Sequence, residues 1–139
     1  MKNFLIFFLL LSLGFSQSKV TIQDTEIEIN DNEAVVEVLG MVCSMCAFGI
    51  GEGFSKTDFI DKSKFTDGVS VDIDAQYVQL GLLDSKNVDP EKIVQVIEDA
   101  GYDVNLLFIL QNEKLTKFST YKLGILQPMA FNFISNNNN

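Results

Sequence analysis

The chain has 139 residues, enough for one ordinary domain with extensions. Its ten basic residues are all lysines, and with 19 acidic residues they leave a formal charge of −9, which excludes the basic surface that a nucleic-acid-binding protein needs. The chain has no histidine, so Ser-His and Cys-His catalytic pairs and zinc-histidine sites are excluded as well. Only two cysteines remain as candidates for chemistry, Cys43 and Cys46.

The first sixteen residues are typical of a secretory signal peptide. Lys2 precedes an apolar run over residues 4–11, which is well short of the roughly 20 residues of a membrane-spanning helix. Gly14 and Ser16 suit the small residues that precede a cleavage site. We therefore expect cleavage before Gln17, no stable membrane span afterwards, and a periplasmic or secreted protein. An uncleaved membrane anchor is the alternative.

The next part of the chain predicts strands that lead into a loop and a helix. Residues 17–32 read as an N-terminal extension in which apolar and polar residues alternate, as in short strands. Residues 33–39 are rich in β-forming residues, and the following loop, residues 40–46, contains both cysteines. Residues 47–56 predict a helix weakened by Gly49, Gly51 and Gly53, each of which costs about 1 kcal/mol relative to alanine.

The following residues predict two strands, a helix and a last strand. Residues 58–67 are polar and predict an inserted loop, and apolar residues then alternate over residues 69–73 and 78–82 around a tight connection at residues 75–76. Asp89 and Pro90 are a capping residue and a first-turn proline, and Gly101 ends the helix that they begin. A final alternating strand ends at Phe108, and residues 109–139 form an extension of unassigned structure with a disordered end.

The resulting order, β-α-β-β-α-β over residues 33–108, predicts an α+β fold of the ferredoxin-like type. This fold has a four-stranded antiparallel sheet with both helices on one face. Because many functions use it, the fold class alone assigns none of them.

The two cysteines have the CxxC spacing at the start of a predicted helix. Two thiolates so placed can converge on one ion, and the amino end of the helix favours the thiolate form. Two soft sulfur ligands suit Cu(I) first and other thiophilic ions after it. Two alternatives use the same spacing: a thiol-disulfide oxidoreductase, and an interaction module in which the two cysteines form a structural disulfide.

Two separated motifs carry a family resemblance. The segment GMVCSMC at residues 40–46, together with IEDAGY at residues 97–102, resembles the heavy-metal-associated domain family, which includes periplasmic mercury-binding proteins and bacterial copper chaperones. The resemblance covers residues 33–108. It implies that Cys43 and Cys46 bind the metal, that Met41 packs in the core beneath the loop, and that Tyr102 lies beside the metal loop or only in the core. Met45 is expected to be exposed rather than to bind metal.

The resemblance also implies a binding protein rather than an enzyme. Such a protein captures or transfers Cu(I), with Hg(II) or another thiophilic ion as the alternative. The implied partner is a metal-transporting ATPase or another metal-handling protein. Copper chaperones of this family often carry docking lysines on the first helix, where this chain has Gly51 and Glu52.

Overall fold

The structure is a computed structural model that describes residues 17–84, 87–121 and 125–128. The predicted signal peptide, residues 1–16, and the predicted disordered end lie outside these residues. The elements in chain order are β1 (Ser18–Ile22), β2 (Thr25–Ile29), β3 (Glu33–Leu39), α1 (Ser44–Ser55), β4 (Val69–Asp72), β5 (Tyr77–Gly81), α2 (Pro90–Asp99), β6 (Asp103–Gln111), β7 (Lys114–Tyr121) and β8 (Ile125–Pro128). No helix among the described residues is long and apolar enough to cross a membrane.

The main sheet is antiparallel and has the strand order β4-β5-β3-β6-β7-β8. The predicted α+β class, with two helices and an antiparallel sheet, is confirmed. The predicted number of four strands was wrong, because β7 and β8 extend the sheet beyond β6. The connection from β6 to β7 is a two-residue turn in which Asn112 and Glu113 both have positive φ, of 53° and 59°. The sequence does not predict this turn, because the turn lacks the glycine that usually marks such hairpins.

Both helices pack on one face of the main sheet. Alternate residues of β3, Ala34, Val36 and Val38, face the helices and are buried, as the two-residue period of a strand requires. The helices contribute the other half of this core with Cys46, Ile50 and Phe54 from α1 and Ile93, Val94 and Ile97 from α2. The predicted cap of α2 is present, since the Asp89 carboxylate accepts a hydrogen bond from the Glu91 amide at 3.0 Å.

The N-terminal extension covers the opposite face of the main sheet. Strands β1 and β2 form an antiparallel hairpin, and its apolar side chains pack with those that β3 and β6 direct away from the helices. This second core consists of Val20, Ile22, Ile27, Ile29, Val35, Phe108 and Leu110. The fold therefore has three layers, with the main sheet between the helices and the hairpin.

The hairpin is also held by polar contacts to buried side chains of the sheet. The Gln79 amide nitrogen donates to the Glu28 carbonyl at 2.8 Å and to the buried Glu33 carboxylate at 3.0 Å. At the other end, the Gln23 amide nitrogen donates to the buried Glu37 carboxylate at 3.1 Å. Because buried carboxylates are costly unless they accept hydrogen bonds, these contacts fix where the hairpin lies.

Residues 58–67, predicted as a polar loop, are anchored to the core. Phe59 and Ile60 are buried, the Phe59 ring packs edge-on against Phe54, and Ile60 forms an isolated bridge with Leu82. The segment therefore fills space beside α1 and does not project as a free loop.

The glycines of α1 differ in their surroundings, and this predicts opposite effects of substitution. A Cβ at Gly49 or Gly51 meets no atom within 4 Å, whereas one at Gly53 lies 2.9 Å from Cγ1 of Val96 in α2. We expect Gly49→Ala and Gly51→Ala each to stabilise the protein by about 0.5–1 kcal/mol, because alanine is the better helix former. Gly53→Ala is the control, and there the close contact offsets the gain. Urea unfolding measures all three, and equal gains would contradict the role of Gly53 in helix packing.

Candidate metal centre

The metal loop, defined as residues 40–46, connects the end of β3 to the start of α1. Cys43 is the N-cap of α1, with extended backbone at φ −154°. The Cys46 amide donates to the Cys43 carbonyl at 3.0 Å, so the first turn of the helix sets the separation of the two cysteines. The amino end of the helix lies at the thiols, where its partial positive charge favours an anion.

The two thiols are close together but differ in exposure. Their Sγ atoms are 3.5 Å apart, well beyond the S–S bond length of about 2.05 Å, and both cysteines are free. Cys43 is exposed, whereas Cys46 is only 5% exposed and belongs to the core on the helix side. The pair is thus near enough for two sulfurs to hold one small ion, with one sulfur at the surface. Among the described residues, no group of three or more His, Cys, Asp or Glu side chains is placed to hold a metal.

The two methionines of the metal loop have opposite environments. Met41 is 2% exposed and belongs to the same buried cluster as Cys46, the place that the family resemblance implies for it. Met45 is 71% exposed, and Val42, which directly precedes Cys43 in the sequence, is exposed as well. Apolar side chains are therefore exposed on both sides of Cys43 along the chain.

Tyr102 lies beside the buried thiol. Its ring is partly buried against the core, and its side chain interacts with the Cys46 sulfur. This interaction is the largest cause that lowers the pKa of Cys46 from 9.0 to about 7, and the backbone at Val42 and Cys43 acts in the same direction. The contact in turn raises the pKa of Tyr102. Because only the thiolate is a strong ligand, Tyr102 makes Cys46 a better metal ligand near neutral pH.

Removal of the Tyr102 hydroxyl should change how stability depends on pH. The pKa of Cys46 in the folded protein, about 7, lies below its ordinary value of 9.0. Ionisation therefore stabilises the fold fully above pH 9, and this contribution is lost as the pH falls through 7. We expect Tyr102→Phe to raise the pKa of Cys46, which thiolate absorbance measures. The free energy of unfolding of the reduced protein should then increase less between pH 7 and pH 9 than in the wild type, which urea unfolding measures.

The matched control for this prediction is Tyr77→Phe. Tyr77 is also partly buried, but it packs against the hairpin on the opposite face. An unchanged Cys46 titration in Tyr102→Phe would contradict the prediction, as would an equal change in Tyr77→Phe.

Sequence reasoning missed Gln76, which lies in the turn between β4 and β5. Its side-chain oxygen accepts hydrogen bonds from the amides of Gly40 and Met41, both at 3.1 Å. Its side-chain nitrogen donates to the carbonyls of Met41 and Ile73. The contact joins residues 35 positions apart, so no local pattern could have revealed it.

No family model matches the sequence, and a search of curated proteins finds no relative. The chain is similar to the CopZ metallochaperone, at 28% identity and a TM-score of 0.44, over 52% of this chain and 97% of that one. It is also similar to the yeast copper transporter domain Ccc2a, at 24% identity and a TM-score of 0.43, over 52% of this chain and 89% of the other.

Proposed function

We propose that this protein binds one thiophilic metal ion, Cu(I) in the first place, between Cys43 and Cys46, and that it captures or transfers that ion. The observation that carries the proposal is the pair of free thiols, 3.5 Å apart at the first turn of α1. Soft sulfur ligands favour Cu(I) over harder ions, and Hg(II) is the alternative with the same preference. Binding and transfer, rather than catalysis, is the function proposed.

The unequal exposure of the thiols supports a direction for transfer. A thiolate of a partner protein can approach the ion from the side of the exposed Cys43, whereas Cys46 lies in the core. In this exchange a first sulfur of the partner forms a bond to the ion as the bond to Cys43 breaks, and a second sulfur of the partner forms a bond as the bond to Cys46 breaks, so that the ion keeps two sulfur ligands throughout. No electrons are transferred. Val42 and Met45, one and two positions from Cys43 in the sequence, are exposed and offer apolar surface to that partner.

The partner proposed is a metal-transporting ATPase or another metal-handling protein. The place proposed is the periplasm or the cell exterior, on the strength of the signal-peptide pattern in residues 1–16. Since dithiols tend to oxidise outside the cytoplasm, bound metal or a reductant would be needed to keep Cys43 and Cys46 available.

The test is a competition titration of the reduced protein against a Cu(I) chelator, without oxygen, with Hg(II) in a parallel series. We expect one Cu(I) ion per chain. If the protein takes neither Cu(I) nor Hg(II) from its competitor, the proposal is overturned. Reduction of insulin disulfides by the same sample would favour the oxidoreductase alternative.

The order of thiol reactivity is a separate prediction. Because Cys43 is exposed and Cys46 is buried, we expect brief alkylation of the reduced, metal-free protein to label Cys43 first, with peptide mass spectrometry as the measurement. The lower pKa of Cys46 acts against this order, since thiolates react faster, so the experiment decides whether access or ionisation dominates. Faster labelling of Cys46 would reverse the proposed direction of transfer.

A further inference from the structure

The side chain of Gln76 occupies a position where it can hold the start of the metal loop. One amide group binds the N–H groups of Gly40 and Met41, the Met41 carbonyl and the Ile73 carbonyl. Gly40 and Met41 come after the last residue of β3, so the strand ladder does not provide these hydrogen bonds. A side chain from another hairpin provides them instead.

The backbone at Gln76 is unfavourable for a residue of this type. Its φ is +56°, in the left-handed region that glycine and asparagine adopt most easily. The surrounding turn is fixed by other contacts, since the Asp72 carboxylate accepts from the Ala75 amide at 2.9 Å and the Gln76 carbonyl accepts from the Val38 amide at 2.9 Å. Glycine would fit this backbone with less strain, so the glutamine side chain has to be explained by what it contacts.

Cys43 depends on this contact more than Cys46 does. Cys46 lies inside α1 and is buried in the core on the helix side. Cys43 is exposed, precedes the first helical residue, and its side chain does not cap the helix. Its position is therefore set from one side by the first turn of α1 and from the other side by Gly40 and Met41, which Gln76 holds and which only Val42 separates from Cys43.

We propose that Gln76 is the positioning residue of the metal centre: by fixing the backbone of Gly40 and Met41 it holds Cys43 in reach of Cys46 before the ion arrives. This rests on the proposed function, because the ion bound is the one proposed there. Outer contacts of this kind typically change metal affinity by about 10- to 100-fold, since they remove the ordering that binding would otherwise require.

The decisive variant is Gln76→Gly in the full chain. It removes the side-chain contacts but suits the positive φ of 56°, so relief of backbone strain offsets part of the free energy that the lost hydrogen bonds cost, and urea unfolding shows that the apo protein is folded. We expect Cu(I) affinity to fall by about 10- to 100-fold and the Gly40 and Met41 amides to exchange hydrogen faster. Loss of a residue that only contributed to stability would lower the free energy of unfolding and leave the Cu(I) affinity unchanged. Gln76→Asn, which tolerates the same φ but is one methylene shorter, should show the same loss of affinity.

The matched control is Gln79→Ala. Gln79 is a hydrogen-bonded glutamine of β5, the strand that follows Gln76, but its partners, Glu28 and Glu33, lie on the face of the sheet that the β1–β2 hairpin covers. We expect it to lower stability and to leave Cu(I) affinity unchanged. An unchanged affinity in Gln76→Gly would overturn the proposal, and so would an equal loss in Gln79→Ala or unchanged exchange at Gly40 and Met41.

A second probe separates this proposal from the proposed function. Phenylarsine oxide binds two neighbouring thiols without any role for copper, so it tests the positioning of Cys43 and Cys46 directly. If the wild-type protein fails to bind Cu(I), the proposed function fails. If its affinity for phenylarsine oxide still falls in Gln76→Gly and not in Gln79→Ala, the positioning role stands; equal affinity in all three proteins overturns it.

Discussion

Cys43→Ser and Cys46→Ser are each expected to lower Cu(I) affinity by more than about a thousandfold, equivalent to about 4 kcal/mol. Serine is nearly isosteric with cysteine, but its hydroxyl is a poor ligand for a soft ion. With the Sγ atoms 3.5 Å apart, each variant removes half of the proposed ligand pair. The measurement is chelator competition on reduced protein, together with urea unfolding to show that each variant is folded.

The environment of each thiol makes these variants suitable for the test. Cys43 is exposed, so its serine variant should fold normally. Cys46 is buried beside the Tyr102 hydroxyl, which can bind a serine hydroxyl in its place, so that the polar group is not left unpaired.

The control is Met45→Leu, which removes the sulfur that lies between the two cysteines in sequence. Met45 is exposed, and we expect affinity close to that of the wild type. Tight binding that survives in the double serine variant would contradict the dithiolate site. A loss in Met45→Leu as large as in the serine variants would instead make the thioether a third ligand.

Gly68→Ala is expected to destabilise the protein by about 3 kcal/mol, the combined effect of a left-handed backbone and of overpacking. Gly68 has a φ of +87°, and a Cβ there would lie 2.2 Å from Cγ2 of Ile60 and 2.9 Å from the Asp61 carbonyl oxygen. Ile60 is buried, and Gly68 itself is held by bonds to Lys64 and Gly81. Neither neighbour can move away without disturbing the anchored segment of residues 58–67.

Gly101→Ala provides the matched control for this effect. Gly101 has nearly the same backbone, with φ +94°, but a Cβ there meets no atom within 4 Å. We expect a loss of about 1 kcal/mol from the backbone conformation alone. Urea unfolding of both variants measures the difference, and equal losses would mean that the contacts of Gly68 with Ile60 and Asp61 cost nothing.

The sequence predicted those features whose causes are local. The β-forming run of β3 and the Asp89 cap of α2 depend on neighbours within a few positions, and both elements are present. The CxxC spacing places Cys43 and Cys46 on one helical turn for the same reason. Tyr102 was expected near the loop only through the family resemblance, and the structure brings its hydroxyl to Cys46.

The features that the sequence did not predict depend on distant parts of the chain. The β6–β7 turn at Asn112 and Glu113 uses positive φ without glycine, which tertiary pairing must stabilise. The sequence predicted only that Gln76 belongs to a tight connection. Its hydrogen bonds to the metal loop span 35 positions, so no local pattern indicates them. The β1–β2 hairpin covers the face of the main sheet opposite the helices. This packing joins apolar residues of four separate strands, β1, β2, β3 and β6.

The hairpin layer sets a limit on how far the amino terminus can be processed. Cleavage before Gln17, as the signal-peptide pattern predicts, leaves Ser18 and the whole of β1 in place. A cut within β1 or β2 would expose Val35, Phe108 and Leu110 to solvent. Glu37 would lose its hydrogen bond from Gln23, and Gln79 would lose its bond to the Glu28 carbonyl. The mature protein would then present an apolar sheet surface to other chains, a common cause of aggregation. We therefore expect an intact β1–β2 hairpin to be needed to keep this sheet surface covered, independent of any metal.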